Sequence, residues 1–382
     1  MTEHVAIVGA GVFGAWTAHH LQQVGHRVTL IDAWGPAHSR SSSGGESRLI
    51  RAAYGKDAIY TRMARDSLPQ WKALSDASAL PLLHQCGILF FFPDEQAYVR
   101  DTVEAHRQLG LATEILAQSE LVKRFAMFHF DGVEIGLFEP EFGVLIARRA
   151  VQTLVEQFVR AGGTYIDGFV ERPAAKSRVD QVRLSTGETV TADRFVFAAG
   201  PWLPKLFPGV IGERIRVTRQ EIFYFAPPAG DRHFVPAHMP GWADFNLGDM
   251  FYGMPDLEGR GVKFAHDVHG PEVDPDTQDR RSTEVALAEV VAFRDRRFTT
   301  LRGAPLIGGE VCQYENSSNG DLLIDLHPSW DNVLLVGGGS GHGFKHGPEV
   351  GRYAAARLFG SVDPEPRFSL ASKSETNHRE VH

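Results

Sequence analysis

The feature that most constrains this chain is a glycine-rich turn near its start, set between two short apolar runs. Residues 4–8 predict a buried strand, and Gly9-Ala-Gly-Val-Phe-Gly14 matches the pattern G-x-G-x-x-G. Residues 15–24 have helical spacing, and 27–31 predict a second strand that ends on Asp32. Together they predict one complete βαβ unit of a dinucleotide-binding fold.

Each position of this pattern has a physical reason. Gly9 permits a tight turn, Gly11 lets the backbone approach a pyrophosphate, and Gly14 lets helix and strand pack closely. The helix N-terminus offers amide donors to the phosphates. Asp32 stands where an acid binds ribose hydroxyls, and its charge disfavours a 2′-phosphate. The pattern therefore predicts a dinucleotide without a 2′-phosphate, and by itself it does not separate FAD from NAD.

Composition and charge exclude several classes of protein. Among 382 residues there are two cysteines, Cys86 and Cys312, too few for a disulfide framework or an all-cysteine metal site. The net charge of −8 argues against nucleic acid and anionic membranes as partners. No apolar run approaches the length of a membrane span, and the first residues do not resemble a signal peptide. We expect a cytoplasmic protein without a bound metal.

Strand–turn patterns recur at residues 194–200 and 332–343, and the stretches between them are richer in strand patterns. The predicted fold class is α/β (α+β overall), with a Rossmann-like cofactor domain interleaved with a mixed or antiparallel β-sheet domain. The expected division is a cofactor domain from residues 1–85, 146–216 and 306–368, a substrate domain from 86–145 and 217–305, and a flexible tail over 369–382.

Five further segments carry a family resemblance. In chain order they are Gly45-Glu-Ser-Arg-Leu-Ile-Arg-Ala-Ala-Tyr-Gly55, Arg302-Gly-Ala, Val311-Cys-Gln-Tyr314, Leu323-Ile-Asp-Leu-His-Pro328 and Gly339-Ser-Gly-His-Gly-Phe-Lys345. From about residue 4 to residue 360 the chain closely resembles the monomeric sarcosine oxidase family, within the D-amino-acid-oxidase-like flavoproteins. The resemblance implies FAD as the cofactor.

The resemblance also implies an activity. It is the oxidation of the C–N bond of an N-substituted or cyclic secondary amino acid to an imine, with O₂ reduced to hydrogen peroxide. Two alternatives remain open: a dehydrogenase that passes electrons to a carrier, and a flavin-binding protein without catalysis. The implied partners are a small amino acid and O₂, and a monomer is expected.

Site residues follow from the resemblance, position by position. Cys312 matches the cysteine that carries the flavin through a thioether, although a lone cysteine is more often an inert core residue, as we expect for Cys86. Arg51 and Lys345 match two cations that clamp the substrate carboxylate. Lys263 matches the lysine that assists oxygen reduction. The expected catalytic residues are Lys263, Arg48, His342, Tyr252 and Asp267, and the expected substrate-binding residues are Arg51, Lys345, Tyr314, Tyr252 and Ala243.

The expected cofactor-binding residues combine the fingerprint with the resemblance. They are Gly9, Gly11, Val12, Phe13, Gly14, Asp32, Ser39, Ser42, Arg48, Val170, Gly200, Trp202, Cys312, Gly339, Gly341, His342, Gly343, Phe344 and Lys345.

Two positions depart from the family pattern. Asp267 stands where the sarcosine oxidases carry a pocket histidine, and Ala243, followed by Asp244, stands where they carry a methionine. A smaller residue and a carboxylate near the amine predict a roomier, more acidic pocket. We therefore expect sarcosine itself not to be the best substrate.

Overall fold

The computed structural model describes residues 2–246, 250–268 and 270–374. Its α-helices are α1 (Val12–Gln23), α2 (Ala58–Asp76), α3 (Ala97–Leu109), α4 (Gln118–Arg124), α5 (Ala147–Arg160), α6 (Leu203–Leu206), α7 (Glu284–Arg297) and α8 (Gly347–Leu358).

Its strands are β1 (His4–Val8), β2 (Arg27–Asp32), β3 (Ser47–Ile50), β4 (Leu83–His84), β5 (Ile88–Phe92), β6 (Glu114–Ala117), β7 (Ile135–Glu139), β8 (Gly143–Ile146), β9 (Thr164–Asp167), β10 (Gln181–Arg183), β11 (Thr189–Thr191), β12 (Arg194–Phe197), β13 (Ile215–Phe225), β14 (Gly241–Asp244), β15 (Met250–Met254), β16 (Val262–Asp267), β17 (Leu306–Ser317), β18 (Leu323–His327) and β19 (Trp330–Gly337).

A six-stranded sheet forms the first layer, in the order β18-β19-β12-β1-β2-β9. All neighbours are parallel except the edge strand β18. In β1, Val5 and Ile7 face a core that includes residues of α1, α5 and α8, and Ala6 and Val8 face a core on the other side. A parallel sheet covered on both faces needs apolar residues at every position, which explains the continuous run at 4–8. This is the predicted Rossmann-like arrangement.

An eight-stranded sheet forms the second layer, in the order β17-β13-β16-β15-β14-β5-β7-β6. Its pairs are antiparallel except β14 with β5. One face packs against α7 through an aromatic core that includes Trp242, Phe264 and Phe293. The mixed sheet confirms the predicted fold class. Strands β3, β8 and β4 form a third, small sheet in the order β3-β8-β4.

Two parts of the expected domain division are wrong. Residues 306–317 were expected in the cofactor domain, yet β17 pairs along its length with β13 as the edge of the second sheet. The start of the expected tail is packed, because Lys373 Nζ donates to the Arg367 carbonyl at 2.6 Å and the Ser374 amide to Ser318 Oγ at 2.9 Å. Residues 375–382 lie outside the described residues, and the other boundaries stay a prediction.

Within the described ranges, none of the helices has both the length and the apolar character that crossing a membrane requires.

Candidate active site

A cleft of about 340 Å³ opens beside the turns that follow strands β1, β2, β12 and β19. In open parallel sheets this edge is where ligands bind, because the loops there are free of the sheet. Its lining includes most of the expected cofactor residues: Gly9, Gly11, Val12, Phe13, Asp32, Ser42, Arg48, Val170, Gly200, Trp202, Gly339, Gly341, Gly343 and Phe344.

The fingerprint glycines have the geometry that their roles require. Gly9 has φ +107°, a conformation that other residues rarely adopt. A Cβ on Gly14 would lie 1.8 Å from the Gly9 carbonyl oxygen, so Gly14 allows the helix to pack against the turn and does not itself line the cleft. A Cβ on Gly11 would meet Ser43 Oγ at 3.3 Å and no other atom within 4 Å, and Gly11 lines the cleft, so this stretch of backbone is open to a ligand.

Asp32 organises the start of the cleft. Its carboxylate accepts hydrogen bonds from the amides of Ala10 at 2.7 Å and of Trp34 and Gly35 at 3.0 Å. Burial raises the pKa of Asp32 above its usual value. The residue predicted to bind a ribose therefore also ties the second strand to the fingerprint turn.

Some expected cofactor residues lie elsewhere. Ser39 does not line the cleft, whereas His38 and Ser41 do. The Ser41 amide donates to the His38 carbonyl at 2.8 Å and closes a turn around Ser39. Cys312, His342 and Lys345 line a second, smaller cavity of about 70 Å³. The two cavities share four lining residues: Arg48, Tyr314, Gly341 and Phe344.

One face of the eight-stranded sheet supplies most of the small cavity. Tyr252 pairs with Ala265 across β15 and β16 and with Ala243 across β15 and β14. Asp267 lies two residues beyond Ala265 and so on the same face, since side chains alternate along a strand. Ala243, Tyr252, Asp267, Cys312 and Tyr314 all line the cavity.

Two buried cations mark one part of the cavity. Arg51 follows β3, its guanidinium lies 4.4 Å from the Tyr54 ring centroid, and it donates to the Ala53 carbonyl. Lys345 Nζ donates to Tyr54 Oη and to the His342 carbonyl, both at 2.7 Å. The structure thus brings together the two cations that the sequence predicted as a pair, both in contact with one tyrosine.

Tyr54 was missed as a site residue, although it lies inside the quoted segment 45–55. Its hydroxyl contacts three groups from the turn before α8: Lys345 Nζ, His342 Nδ1 at 3.2 Å and His346 Nε2 at 2.8 Å. Burial and the neighbouring Lys345 lower the pKa of His346 well below its usual value, so this imidazole is neutral. Tyr54 therefore couples Arg51 to the turn that carries Lys345.

Glu139, at the end of β7, was also missed. It is fully buried, and its Oε1 accepts from the Ala52 amide at 2.9 Å, while its Oε2 has no hydrogen-bond partner. Burial raises the pKa of Glu139 to about 7. The carboxyl group therefore supports the backbone just after Arg51.

Arg48 and Cys312 meet where the two cavities join. Arg48 lies on β3 and donates to the carbonyl oxygens of Ser42 at 2.6 Å and Ser47 at 2.8 Å. Its guanidinium lies 3.6 Å from Cys312 Sγ. Cys86, by contrast, packs beside a separate small apolar cluster, and burial raises the pKa of its thiol to about 11.

Lys263 is buried behind the cavity rather than in its wall. Val262 and Phe264 face the aromatic core, and Lys263, which lies between them on β16, points the other way and donates from Nζ to the Ser47 carbonyl at 3.0 Å. Lys263 lines a separate void of about 10 Å³. Burial, and then the nearby Arg48 charge, lower its pKa to about 7.

Tyr252, Tyr314 and His342 line the small cavity, whereas Asp244 lies on the other face of the eight-stranded sheet. Tyr252 and Tyr314 have hydroxyls 3.4 Å apart, and burial raises the pKa of Tyr252 to about 12. His342 lines the same cavity. Asp244 does not: it forms a buried ion pair with Arg297 at 2.7 Å, because it follows Ala243 and so faces the opposite way.

Within the described residues no group of His, Cys, Asp or Glu could hold a metal ion.

Comparison with known proteins identifies the family. The model of the FAD dependent oxidoreductase family (DAO) matches residues 4–357. Peroxisomal sarcosine oxidase of Mus musculus is 31% identical, over 96% of this chain and 97% of that protein. Monomeric sarcosine oxidase of Bacillus sp. (strain B-0618) is 29% identical, over 91% of this chain and 90% of that one.

The fold agrees with a solved structure, that of fructosyl peptide oxidase from E. terrenum. Its TM-score is 0.84 at 18% identity, with 97% of this chain and 92% of that chain covered. The arrangement of a glycine-lined cleft beside a cation-bearing cavity thus occurs on a known flavoprotein fold. The chain belongs to the FAD-dependent oxidoreductase family and, within it, to the group that contains the sarcosine oxidases.

Proposed function

We propose that this protein is an FAD-dependent oxidase of N-substituted or cyclic secondary amino acids. The CH–NH group loses two electrons and two protons to give an imine, which water hydrolyses, and O₂ takes up two electrons and two protons to give hydrogen peroxide. The observation that carries this proposal is a small cavity with two buried cations, Arg51 and Lys345, that adjoins the cofactor cleft through shared lining residues.

The cleft fits FAD. The backbone at Gly11 faces open space where a pyrophosphate would approach, and the chain beyond Gly9 enters α1, whose N-terminus favours anions. The shared residues Arg48, Tyr314 and Phe344 stand where the cleft meets the small cavity, which suits the flavin ring. When bound there, FAD accepts the two electrons from the amine and returns them to O₂.

The protein's own contribution is to orient the substrate. Arg51 offers a planar fork and Lys345 a second charge to one carboxylate, and burial strengthens both interactions. With the carboxylate held there, the amine and its neighbouring C–H bonds extend toward Tyr252 and Tyr314. The raised pKa of Tyr252 keeps its hydroxyl neutral, so the hydroxyl can donate a hydrogen bond to an uncharged amine.

The pocket wall supports a substrate other than sarcosine. Ala243 leaves space where the family carries methionine, and Asp267 adds a carboxylate to the same cavity. A bulkier N-substituent, or one with a polar or cationic group, would use both features. If sarcosine gave the highest kcat/KM in a panel of N-alkyl, cyclic and fructosyl amino acids, this part of the proposal would be wrong.

Cys312 is the proposed site of a thioether to the flavin. Its sulfur lies beside the Arg48 guanidinium at the junction of the two cavities, whereas Cys86 has no contact with the cleft. After acid precipitation we expect a yellow pellet from the unaltered protein and from Cys86→Ala, and a colourless one from Cys312→Ala. Free FAD in the supernatant of the unaltered protein would contradict the link.

The proposal includes oxygen as the electron acceptor and a monomer in the cytoplasm. The low cysteine count suits a reducing compartment, and a relative bears the name monomeric sarcosine oxidase. One equivalent of peroxide per substrate oxidised under air would support the oxidase over a dehydrogenase. Light scattering on the eluted protein tests the monomer, for which we expect a mass near 42.2 kDa.

A further inference from the structure

A buried carboxylate in the cofactor cleft has no assigned role. Glu315 lies near the end of β17, directly after Tyr314, and because side chains alternate it points away from the substrate cavity. It lines the cofactor cleft with 6% of its surface exposed. No lysine, arginine or histidine among the described residues forms an ion pair with it.

The surroundings of this carboxylate are backbone, and mostly glycine. Glu315 Oε1 accepts the Gly339 amide at a long 3.4 Å, the Gly338 amide also lies near the carboxylate, and Oε2 is buried without a geometric hydrogen bond. A Cβ on Gly337 would lie 3.3 Å from Oε2 and one on Gly200 3.9 Å from it. Burial raises the pKa of Glu315 to about 7. An unpaired buried acceptor is costly, so the site lacks a hydrogen-bond donor.

The position in the cleft selects among the donors of FAD. The pyrophosphate has no donor and would repel a carboxylate, and it belongs at Gly11, the N-cap residue of α1. The ring belongs at the junction with the small cavity, which Tyr314 lines and Glu315 does not. Between ring and pyrophosphate FAD carries the ribityl chain, whose hydroxyls are neutral donors. We propose that Glu315 binds a ribityl hydroxyl of FAD through its unpaired Oε2.

The residue that makes this contact, Glu315, belongs to strand β17. It would fix the middle of the cofactor, between the backbone that receives the phosphates and the side chains around the ring. A hydrogen bond to the ionised carboxylate is stronger than one between neutral groups, so a donated ribityl hydroxyl would favour the charged form of Glu315 in this buried site. The inference rests on the family's cofactor and not on the proposed substrate, so binding can test it without any turnover.

The experiment measures FAD affinity in the full chain with Cys312→Ala, so that no covalent link hides weak binding. Flavin-free protein is titrated with FAD and with analogues that each lack one ribityl hydroxyl, and bound flavin is followed by fluorescence. We expect one analogue to bind about 10-fold more weakly than FAD. Adding Glu315→Ala should weaken FAD binding at least 10-fold and abolish that discrimination.

Glu139→Gln is the matched control, because Glu139 is also buried, has an unpaired oxygen and lies outside the cleft. It should leave both the affinity and the discrimination unchanged. If Glu315→Ala does not fold, Glu315→Gln keeps the volume, and its neutral amide oxygen should retain only part of the discrimination. The proposal would be overturned if a Glu315 variant kept full discrimination among the ribityl analogues or bound FAD with unchanged affinity. It would also be overturned if Glu315 variants changed the affinity for N3-methylated FAD, which is altered on the ring, and not for the ribityl analogues.

Discussion

The cofactor cleft and the substrate cavity adjoin, yet they are built from different parts of the chain. The cleft of about 340 Å³ is lined largely by turns of one parallel sheet, in which glycines bring the backbone to the surface. The cavity of about 70 Å³ is lined by side chains from β13 to β17, from the segment after β3 and from the turn before α8. Backbone geometry therefore governs the cofactor, and long-range side-chain packing governs the substrate.

The largest expected effect tests the backbone side of this comparison. In Gly14→Ala the new methyl group would meet the Gly9 carbonyl at 1.8 Å, so we expect loss of the folded protein. In Gly11→Ala it would meet only Ser43 Oγ, so the flavin-free protein should fold and melt normally but bind FAD far more weakly. Thermal melts with and without FAD measure both. Equal destabilisation of the two variants would show that Gly11 acts through packing.

The next effect tests the side-chain part. Arg51→Met removes a buried cation from the carboxylate site, and loss of one partner of a buried charge pair costs about 2–5 kcal/mol. We expect kcat/KM for an amino acid substrate to fall about 1,000-fold with FAD content unchanged. Arg107→Met, on the surface of α3, is the control. A methyl ester substrate should lose little, and equal losses for acid and ester would contradict the carboxylate role.

Oxygen reduction gives a smaller effect, at Lys263. Removing one electrostatic donor typically costs about 100-fold, so Lys263→Met should slow reoxidation by O₂ about that much and leave flavin reduction by substrate nearly unchanged. Since the pKa of Lys263 is lowered to about 7, its positive charge is lost as the pH rises through that value. The O₂ rate constant should therefore fall with rising pH near 7. If the O₂ rate constant of Lys263→Met fell with pH in the same way, another group would be responsible for the pH dependence.

The smallest expected effect concerns stability. The pKa of Glu139 is raised to about 7, above its value in the unfolded chain, so the folded state holds the proton more tightly. The stability from this group is fully present below about pH 4.5 and is lost as the pH rises through about 7. The melting temperature should decline by a few degrees over that window, and less in Glu139→Gln. Parallel curves of melting temperature against pH for the two proteins would show that Glu139 does not cause this decline.

The same comparison explains what could be predicted from the sequence. The fingerprint, Asp32 and the six-stranded sheet follow from local spacing, because a parallel strand and its turn are continuous in sequence. Alternation along a strand is also readable from the sequence, and applied to Ala243 and Asp244 it would have placed their side chains on opposite faces of the sheet. The partner of Asp244, Arg297, could not be found in that way.

Three residues could not be found in that way. Tyr54, Glu139 and Glu315 matter because of their partners, or because one oxygen has none. Which groups a buried polar side chain meets is decided by tertiary packing, and sequence spacing carries no signal of it. The edge position of β17 was missed for a similar reason, because its pairing with β13 joins segments about a hundred residues apart.

The most direct test of the central claim is anaerobic reduction of the bound flavin. Holoenzyme is mixed without oxygen with matched pairs of amino acids, one bearing a primary and the other an N-substituted amine, and the flavin absorbance is followed. We expect complete bleaching by N-substituted or cyclic amino acids, much slower bleaching by the primary ones, and about 1,000-fold slower bleaching in Arg51→Met. Bleaching that ignores N-substitution, or none with any member of the panel, would contradict it.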